Sequence, residues 1–520
     1  MASTTSVPAF RNEPVTDFSD PTAQAAFRAA LARVGGQLGR RQPLWIGGQP
    51  VTHAETFDSI NPAHPDQVVG THVVASVEDV DAAVQAAERA FPSWAATPAE
   101  LRAEFLFRAA ELIRQRRHEV SALMVLEVGK AWGEADGEAA EAVDLMEWYA
   151  RQMLRLGKPK DLTPLEGEEH AFYYVPLGVG AVISPWNFPL ALTTGMLTAA
   201  VVAGNSVVLK PSSASPTTAA WLVDLFRELG LPNGVINYLT GPGSAIGDAL
   251  VEHPRVRFIA FTGSRDVGVR INERASKVQP GQIWLKRIQL EMGGKNGIVV
   301  DETADLEAAA DGIVTSAFGY QGQKCSAGSR AIVVDAVYEP VLAEVVERAR
   351  ALRIGDPIEP DTQVGPLIDA GAERKVLDYI AIGKGEGELM LGGEKLDREG
   401  YFVAPTIFAD VSPRARIAQE EIFGPVLAFI RAHDFDDALA IANGTEYGLT
   451  GSLYSRDAAR LERAKRDFHV GNLYLNRKCT GAIMGVHPFG GFNMSGTDSK
   501  AGGPDYLLFF LQGKSVGSRV

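Results

Sequence analysis

The sequence predicts an α/β fold with a doubly wound parallel sheet, a second α/β domain and a small β flap. From about residue 179, short apolar segments rich in β-formers alternate with helical segments, and a second alternating series begins after about residue 292. Such alternation is typical of βαβ units. The 520 residues are too many for one hydrophobic core, which favours two or three domains.

The first hundred residues are predicted to form strand-like pieces followed by helices. Ser76, with Asp79 three residues later, resembles a capping box at the start of a helix. A longer amphipathic region, 98–149, follows and is broken near Gly129 and Gly133. Its apolar stripe indicates core packing.

The doubly wound sheet is predicted from five strands separated by three helices. Gly204 lies just beyond the first helix, and Pro216 begins the second after Ser215, as helix stop and start signals should. The predicted strands are 179–184, 206–210, 235–239, 257–262 and 288–290, and the helices are 188–203, 216–229 and 244–252.

The second series includes predicted strands at 297–300, 331–334 and around Ile430. The segments 157–174 and 506–516 are expected to form strands outside both cores and to pair between subunits. The predicted division is an N-terminal arm and first domain at 1–156 and 175–290, a second domain at 291–490, and oligomerisation segments at 157–174 and 491–520.

Charge and cysteine usage exclude several classes of protein. A net charge of −14 argues against a nucleic-acid partner. The two cysteines, Cys325 and Cys479, are too few for a disulfide framework or a Cys-rich metal site, and we expect no metal. The stretch 190–204 is too short to span a membrane, and the N-terminus lacks a targeting signal, so we expect a cytoplasmic protein.

Three successive strand ends of the first sheet carry residues suited to a nucleotide. They are the segments 183–189, 210–213 and 261–264, and small residues at such turns let backbone N–H groups approach a pyrophosphate. Gly241 and Gly247 lie in a glycine-rich turn whose spacing misses the usual dinucleotide pattern by one residue, so this turn alone indicates a loop as readily as a cofactor site. Together, the strand ends predict a Rossmann-like cofactor domain.

Cys325 and Glu291 are the candidates for chemistry. Cys325 has polar and cationic neighbours, including Lys324, whereas a structural cysteine usually has apolar ones. Its thiol needs activation, by Lys324 or by a helix N-terminus. Glu291 ends an apolar strand before two glycines, where a carboxylate is either solvated or placed as a general base.

These pieces together resemble the aldehyde dehydrogenase superfamily over residues 44–516. The resemblance is carried by six motifs in order, which makes it specific. They are Pro-Trp-Asn-Phe-Pro at 185–189, Phe-Thr-Gly-Ser at 261–264, Leu-Glu-Met-Gly-Gly-Lys at 290–295, Gly-Gln-Lys-Cys at 322–325, Glu-Glu-Ile-Phe-Gly-Pro at 420–425 and Pro-Phe-Gly-Gly at 488–491.

The resemblance implies that Cys325 attacks an aldehyde carbonyl, that the Asn187 amide and the Cys325 N–H hold the oxyanion, and that Glu291 activates water. It implies NAD as the cofactor. Where many NAD-preferring relatives have a glutamate, this chain has Ser213, so we expect NADP to be tolerated. The residues implied at the cofactor are Ile183, Ser184, Pro185, Trp186, Lys210, Ser213, Gly241, Gly247, Thr262, Gly263, Ser264, Gly293, Glu421 and Phe423.

Within the superfamily the chain is most similar to the subgroup that oxidises L-glutamate γ-semialdehyde, through residues 10–14, 284–287, 319–326 and 468–478. This resemblance implies a substrate carboxylate bound by polar donors, an ammonium beside Glu141, and aromatic rings against the aliphatic chain. The residues implied at the substrate are Glu141, Phe188, Lys324, Ser326, Gly481, Ala482 and Phe489.

Three alternatives stay open at this point. A succinate semialdehyde dehydrogenase would have no use for Glu141, an acyl-coenzyme-A-forming enzyme would not need Glu291, and a non-catalytic scaffold would lack Cys325. We expect a small-molecule aldehyde substrate and a homo-oligomer, a dimer or an assembly of dimers. The resemblance also suggests a proline dehydrogenase as a partner.

Overall fold

A computed structural model describes residues 7–520. The predicted first six residues of the N-terminal arm therefore lie outside the described part of the chain. The helices are α1 Pro21–Gly35, α2 Val77–Ala96, α3 Ala99–Gln115, α4 Arg117–Val128, α5 Trp132–Leu156, α6 Ala191–Val202, α7 Pro216–Glu228, α8 Gly243–Glu252, α9 Arg265–Ala275, α10 Leu306–Phe318, α11 Tyr338–Arg350, α12 Ala370–Gly383, α13 Arg416–Gln419, α14 Phe435–Asn443 and α15 Ala458–Asp467.

Short 3-10 helices lie at Gly319–Gly322, Asp335–Val337 and Tyr506–Phe510. The strands are β1 Arg40–Gln42, β2 Leu44–Ile46, β3 Gln49–Val51, β4 Thr56–Asn61, β5 His64–Val73, β6 Glu168–Pro176, β7 Val179–Ser184, β8 Ser206–Pro211, β9 Ile236–Tyr238, β10 Phe258–Thr262, β11 Arg287–Glu291, β12 Gly297–Val300, β13 Arg330–Val334, β14 Glu388–Leu391, β15 Thr406–Ala409, β16 Val426–Ala432, β17 Tyr447–Gly448, β18 Thr450–Tyr454, β19 Asn472–Leu475, β20 Phe492–Asn493 and β21 Leu511–Arg519.

The first sheet has the strand order β11-β10-β7-β8-β9-β2-β3, and its five strands from β7 to β11 are parallel. Apolar side chains cover both faces, with α6 and α7 on one and α2, α8 and α9 on the other. The chain runs from β7 outward through β8 and β9, then crosses back to β10 on the other side of β7. Such a switch point leaves a crevice at the carboxyl ends of the strands, where ligands bind.

The second sheet has the order β14-β15-β16-β13-β12-β18-β19, and all its pairs except β14 with β15 are parallel. Helices α10 and α11 pack on one face, and α12, α14 and α15 on the other. The predicted α/β class with two parallel sheets is therefore confirmed. The division of the chain into domains at the predicted boundaries stays a prediction.

Two local predictions are confirmed by the structure. Ser76 caps α2, with Asp79 donating its backbone N–H to the Ser76 hydroxyl and its carboxylate accepting the Ser76 N–H. Gly129 ends α4 with a left-handed φ of 67°, which glycine adopts without strain. This turn separates α4 from α5 at the predicted break.

Two other expectations differ from the structure. Helix α1, capped by Asp20, precedes the strand-like pieces that were expected first. Within the two segments outside the cores, β6 and β21 form strands as predicted and pair with each other in a nine-residue antiparallel ladder, and the pairing between subunits stays a prediction. A strand pair within one chain is favoured because the two exposed edges satisfy each other's backbone groups. Residues 506–510 form a 3-10 helix instead of a strand.

None of the helices in the described part of the chain is both long enough and apolar enough to cross a membrane.

Candidate active site

A cavity of about 1100 Å³ lies at the carboxyl ends of β7, β8 and β10 and reaches Cys325, which belongs to the second sheet's half of the molecule. It occupies the predicted switch point. Of the residues predicted at the cofactor, all except Gly241 line it: Ile183, Ser184, Pro185, Trp186, Lys210, Ser213, Gly247, Thr262, Gly263, Ser264, Gly293, Glu421 and Phe423.

Gly241 lies one layer behind the cavity wall, where its carbonyl accepts the Ser213 hydroxyl at 3.0 Å. Ser213 therefore faces the cavity from a fixed position. The Lys210 side chain is buried, and this burial lowers its pKa to about 8. A buried ammonium bonded only weakly, to the Pro211 carbonyl at 3.3 Å, favours a polar or anionic group in the cavity.

The segment before Cys325 has an uncommon backbone. Tyr320, Gln321 and Gly322 all have positive φ, at 51°, 56° and 68°. Such a run is costly for the two non-glycine residues and is found where the surrounding structure fixes it. At Gly322 a Cβ would lie 2.3 Å from the Gly424 carbonyl oxygen, so only glycine fits.

Asn296 fixes the nucleophile loop from the other side. Its Nδ2 donates to the carbonyls of Cys325 and Ala327, each at 2.8 Å, and its Oδ1 accepts the Thr450 N–H at 2.9 Å. One buried amide therefore ties the loop to β12 and β18. Sequence reasoning missed this role, although Asn296 directly follows the predicted Glu291 motif.

The Cys325 thiol is half-buried at the cavity floor. Burial, followed by the charges of Glu421 and Glu291, raises the pKa of this thiol to about 12. The Lys324 ammonium, proposed as its activator, instead binds both oxygens of Glu134 at 2.7 and 2.8 Å. The Glu134 carboxylate therefore neutralises the Lys324 charge. The side chains of the adjacent residues Lys324 and Cys325 diverge, so that the ammonium is not directed at the thiol.

Asn187 lies in the turn between β7 and α6 and lines the same cavity as Cys325. Its Nδ2 donates one hydrogen to the Gln323 carbonyl at 3.1 Å. A primary amide has a second hydrogen. The first bond fixes the plane of the amide, so that the second N–H is available to an oxyanion.

The turn that carries Asn187 is held by a buried ion pair. Glu138 Oε1 accepts the backbone N–H groups of Leu190 and Ala191 at 2.8 and 3.0 Å, at the start of α6. Its other oxygen pairs with Lys130, and both side chains are fully buried. Lys130 also lies 3.6 Å from the Phe188 ring centroid. Apart from the two charges, no pattern in the sequence indicated this pair.

Glu291 is the last residue of β11, as predicted. Its Oε1 accepts the Ser499 hydroxyl at 2.5 Å, and within residues 7–520 its Oε2 has no hydrogen-bond partner. Burial raises the pKa of this carboxyl to about 7, against the opposing effect of the Ser499 hydrogen bond. The group can therefore exchange a proton at neutral pH. Sequence reasoning missed Ser499.

Helix α5 directs three carboxylates towards this region, at Glu134, Glu138 and Glu141. Their spacing of four and then three residues places them on one helical face. Glu134 and Glu138 have lysine partners, whereas no hydrogen bond or ion pair to Glu141 exists among the described residues. Burial, and then the charge of Glu138, raises the pKa of Glu141 to about 7.

The other predicted substrate residues lie on three loops. The Ser326 carbonyl accepts the Cys479 thiol and the Thr450 hydroxyl, each at 3.4 Å. Phe489 is half-buried and pairs through its backbone with Ala501. Gly481 and Ala482 lie in the loop after β19, whose backbone is held by Arg477. Sequence reasoning did not single out Arg477.

The molecule is similar to several known proteins. The model of the aldehyde dehydrogenase family matches residues 50–516. A relative from Geobacillus sp. strain WCH70, described as 1-pyrroline-5-carboxylate dehydrogenase, is 58% identical over 510 residues, which cover 98% of each chain.

Two solved structures share the fold. A crystal structure of 1-pyrroline-5-carboxylate dehydrogenase from Thermus with bound NAD is 52% identical, with a TM-score of 0.97, covering 99% of this chain and 100% of that one. Proline utilization A from Bdellovibrio bacteriovorus is 44% identical, also with a TM-score of 0.97, and the match covers 98% of this chain but 53% of that longer one.

Proposed function

Because the chain belongs to the aldehyde dehydrogenase family, we propose that it oxidises L-glutamate γ-semialdehyde, the open form of 1-pyrroline-5-carboxylate, to L-glutamate with NAD. The observation that carries this proposal is the single cavity that joins the strand ends of the first sheet to Cys325. A cofactor in that crevice and an aldehyde at the thiol would meet inside it.

The residues of the cavity fit a dinucleotide. Its wall at Gly293 has no room for a side chain, since a Cβ there would lie 2.2 Å from Glu421 Oε2. At Gly247, in the middle of α8, no atom outside the helix backbone lies within 4 Å of a Cβ position, so this part of the cavity wall is open to a large ligand. Lys210 supplies a buried donor, and Phe423 and Trp186 meet edge to face at 5.5 Å across the cavity. NAD, when bound, supplies the acceptor for the hydride that leaves the substrate carbon.

In the first step the Cys325 sulfur bonds the aldehyde carbon. A thiol with a pKa near 12 must first lose its proton to a base. Glu291 is the candidate, because a carboxyl with a pKa of about 7 is partly ionised at neutral pH and lies near enough to the thiol for its negative charge to raise the thiol pKa. The developing oxyanion is stabilised by the free N–H of the Asn187 amide and by the Cys325 backbone N–H.

Loss of the hydride leaves a thioester on Cys325. Glu291 first releases the thiol proton to solvent and is again a carboxylate. Water then attacks the thioester carbonyl carbon, Glu291 accepts the water proton, and the C–S bond breaks. Glu291 returns this proton to the departing sulfur, so that the acid leaves and the Cys325 thiol is restored. The Ser499 hydroxyl holds Glu291 Oε1 at 2.5 Å and leaves Oε2 for this proton.

Recognition of the substrate is assigned to the two ends of its carbon chain. Glu141 faces the ammonium, and Ser326 with the Gly481 and Ala482 N–H groups binds the carboxylate. Phe188 packs against the aliphatic part, and its ring is held over the Lys130 ammonium.

Steady-state oxidation tests the proposal. We expect wild-type protein with NAD to oxidise L-glutamate γ-semialdehyde with a higher kcat/KM than succinate semialdehyde, which lacks an ammonium. Cys325→Ala should lower kcat by on the order of 10⁶-fold, because it removes the nucleophile, whereas Cys479→Ala, the matched cysteine control, should retain turnover. Equal use of both aldehydes, or an active Cys325→Ala variant, would refute the assignment.

We also propose that the chain forms a homo-oligomer through the β6–β21 pair. Most of the residues of β21 are exposed, and a two-stranded ladder gains little stability alone. Sedimentation of the protein without residues 511–520 should show a smaller species than the full chain. The similarity to the longer Bdellovibrio protein supports a proline dehydrogenase as a functional partner.

A further inference from the structure

The loop 476–482, which follows β19, presents two backbone N–H groups that have no acceptor within the described residues. They belong to Gly481 and Ala482. Gly481 is exposed and has a left-handed φ of 75°. A left-handed residue beside ordinary ones turns successive N–H groups towards one side, an arrangement that binds anions.

The carbonyls of the same two peptides are both engaged by one side chain. Arg477 Nη2 donates to the Thr480 carbonyl at 3.1 Å and to the Gly481 carbonyl at 2.9 Å. The C=O and N–H of a trans peptide point in opposite directions. A guanidinium that holds both carbonyls therefore turns the N–H groups of Gly481 and Ala482 away from itself.

The Arg477 side chain is fixed by groups other than carboxylates. Its guanidinium carbon lies 4.3 Å from the Tyr474 ring centroid, and Nη1 lies 3.3 Å from His487 Nε2. Burial, and then the Arg477 charge, lowers the pKa of His487, so the ring stays neutral and its Nε2 can accept. Among residues 7–520, no Asp or Glu lies within 4.0 Å of Arg477.

Within the described residues, the Arg477 charge is therefore not neutralised by a carboxylate. We infer that Arg477 is a positioning residue that orients the Gly481 and Ala482 N–H groups for the substrate carboxylate, through its bonds to the Thr480 and Gly481 carbonyls. The inference rests on the proposed function, which supplies the carboxylate. The guanidinium also polarises both peptides, which strengthens the two N–H donors.

Lys478 provides a matched control for charge. It is the next residue, its ammonium lies 3.8 Å from the Gly481 Cβ position, and it bonds neither carbonyl. Arg477→Gln and Lys478→Gln remove the same charge from the same loop. They differ in whether the carbonyl clamp is lost.

The test compares L-glutamate γ-semialdehyde with propanal, an aldehyde without a carboxylate. Arg477→Gln should raise KM for the semialdehyde by about tenfold or more, since the hydrogen bonds from the Gly481 and Ala482 N–H groups to the charged carboxylate are weakened or lost. Inhibition by L-glutamate, which has the same carboxylate, should weaken by the same factor. Its kcat/KM for propanal should stay within about twofold of wild type. Lys478→Gln should change the semialdehyde KM much less, and Arg477→Lys should recover part of the loss.

Three results would overturn the inference: equal losses with both aldehydes, no change in KM, or equal effects of Arg477→Gln and Lys478→Gln. If Arg477→Gln fails to fold, as shown by its thermal unfolding midpoint, Arg477→Lys alone decides through the same KM comparison. Failure of wild type to prefer the semialdehyde over propanal would instead contradict the proposed function, so the two failures are distinguishable.

Discussion

The two sides of Cys325 are built differently. On one side, the Asn187 turn lies between β7 and α6 and is fixed by the fully buried pair of Lys130 and Glu138. On the other side, Gly481 lies in an exposed loop held by Arg477. Buried, regular elements restrict motion, whereas loops tolerate change. We therefore expect the first side to govern chemistry on every aldehyde, and the second to govern which aldehyde binds.

Among changes on the Asn187 side, Lys130→Met is expected to have the largest effect on stability. This change leaves the Glu138 carboxylate buried without its partner, which typically costs about 3–5 kcal/mol of folding free energy. Denaturant unfolding should show this loss. The double variant Lys130→Met with Glu138→Gln should recover much of it, since the amide oxygen still accepts the Leu190 N–H without a charge. A single variant as stable as wild type would contradict the role of the pair.

Asn187→Ala tests the chemistry on that side directly. Loss of one oxyanion donor should lower kcat/KM by about 10²–10³-fold. The decrease should be the same for L-glutamate γ-semialdehyde and for propanal, because both develop the same oxyanion. Asn443→Ala, which removes an amide bonded to Asp467 and His469 far from the cavity, serves as the control. A selective loss with the semialdehyde alone would mean that Asn187 recognises the substrate instead.

The same contrast explains what could be predicted from the sequence. The parallel strands and their ends were predicted because apolar β-rich runs and turn residues are local patterns, as at Val179–Ser184. The direction of the Lys324 side chain was not predicted, because its ion pair with Glu134 joins residues that are 190 positions apart in the sequence. The Arg477 clamp and the Ser499 bond to Glu291 are likewise set by tertiary packing, which leaves no periodic trace. The sequence predicted strands outside the cores at both segments, but it did not predict that β6 and β21 pair with each other.

Glu141→Gln is expected to have an intermediate effect, on recognition only. Glu141 is proposed to face the substrate ammonium. The glutamine of the variant carries no charge, so its KM for the semialdehyde should be about tenfold higher than that of wild type. Because the pKa of Glu141 is about 7, wild type should lose this advantage as pH falls below 7 and the carboxylate is protonated. The ratio of variant to wild-type KM should therefore approach one at low pH.

Taking this ratio cancels pH effects on the substrate itself. Glu291, whose pKa is also about 7, should appear separately, as a kcat that rises with pH through that value in both proteins. A KM ratio that is independent of pH would exclude Glu141 from the ammonium site.

The smallest effect is expected at the far end of the cavity, away from both sides of Cys325. Ser213 faces the cavity with its hydroxyl bonded to the Gly241 carbonyl, and a serine does not repel a 2′-phosphate. Wild type should therefore show measurable activity with NADP, and Ser213→Glu should lower kcat/KM for NADP by several-fold through like-charge repulsion. Ser212→Ala, at the neighbouring cavity residue, is the matched control.

The KM values for both aldehydes should be unchanged in Ser213→Glu, since cofactor choice is separated from the oxyanion turn and from the 476–482 loop. Complete inactivity of wild type at saturating NADP would show that a feature other than residue 213 excludes the phosphate.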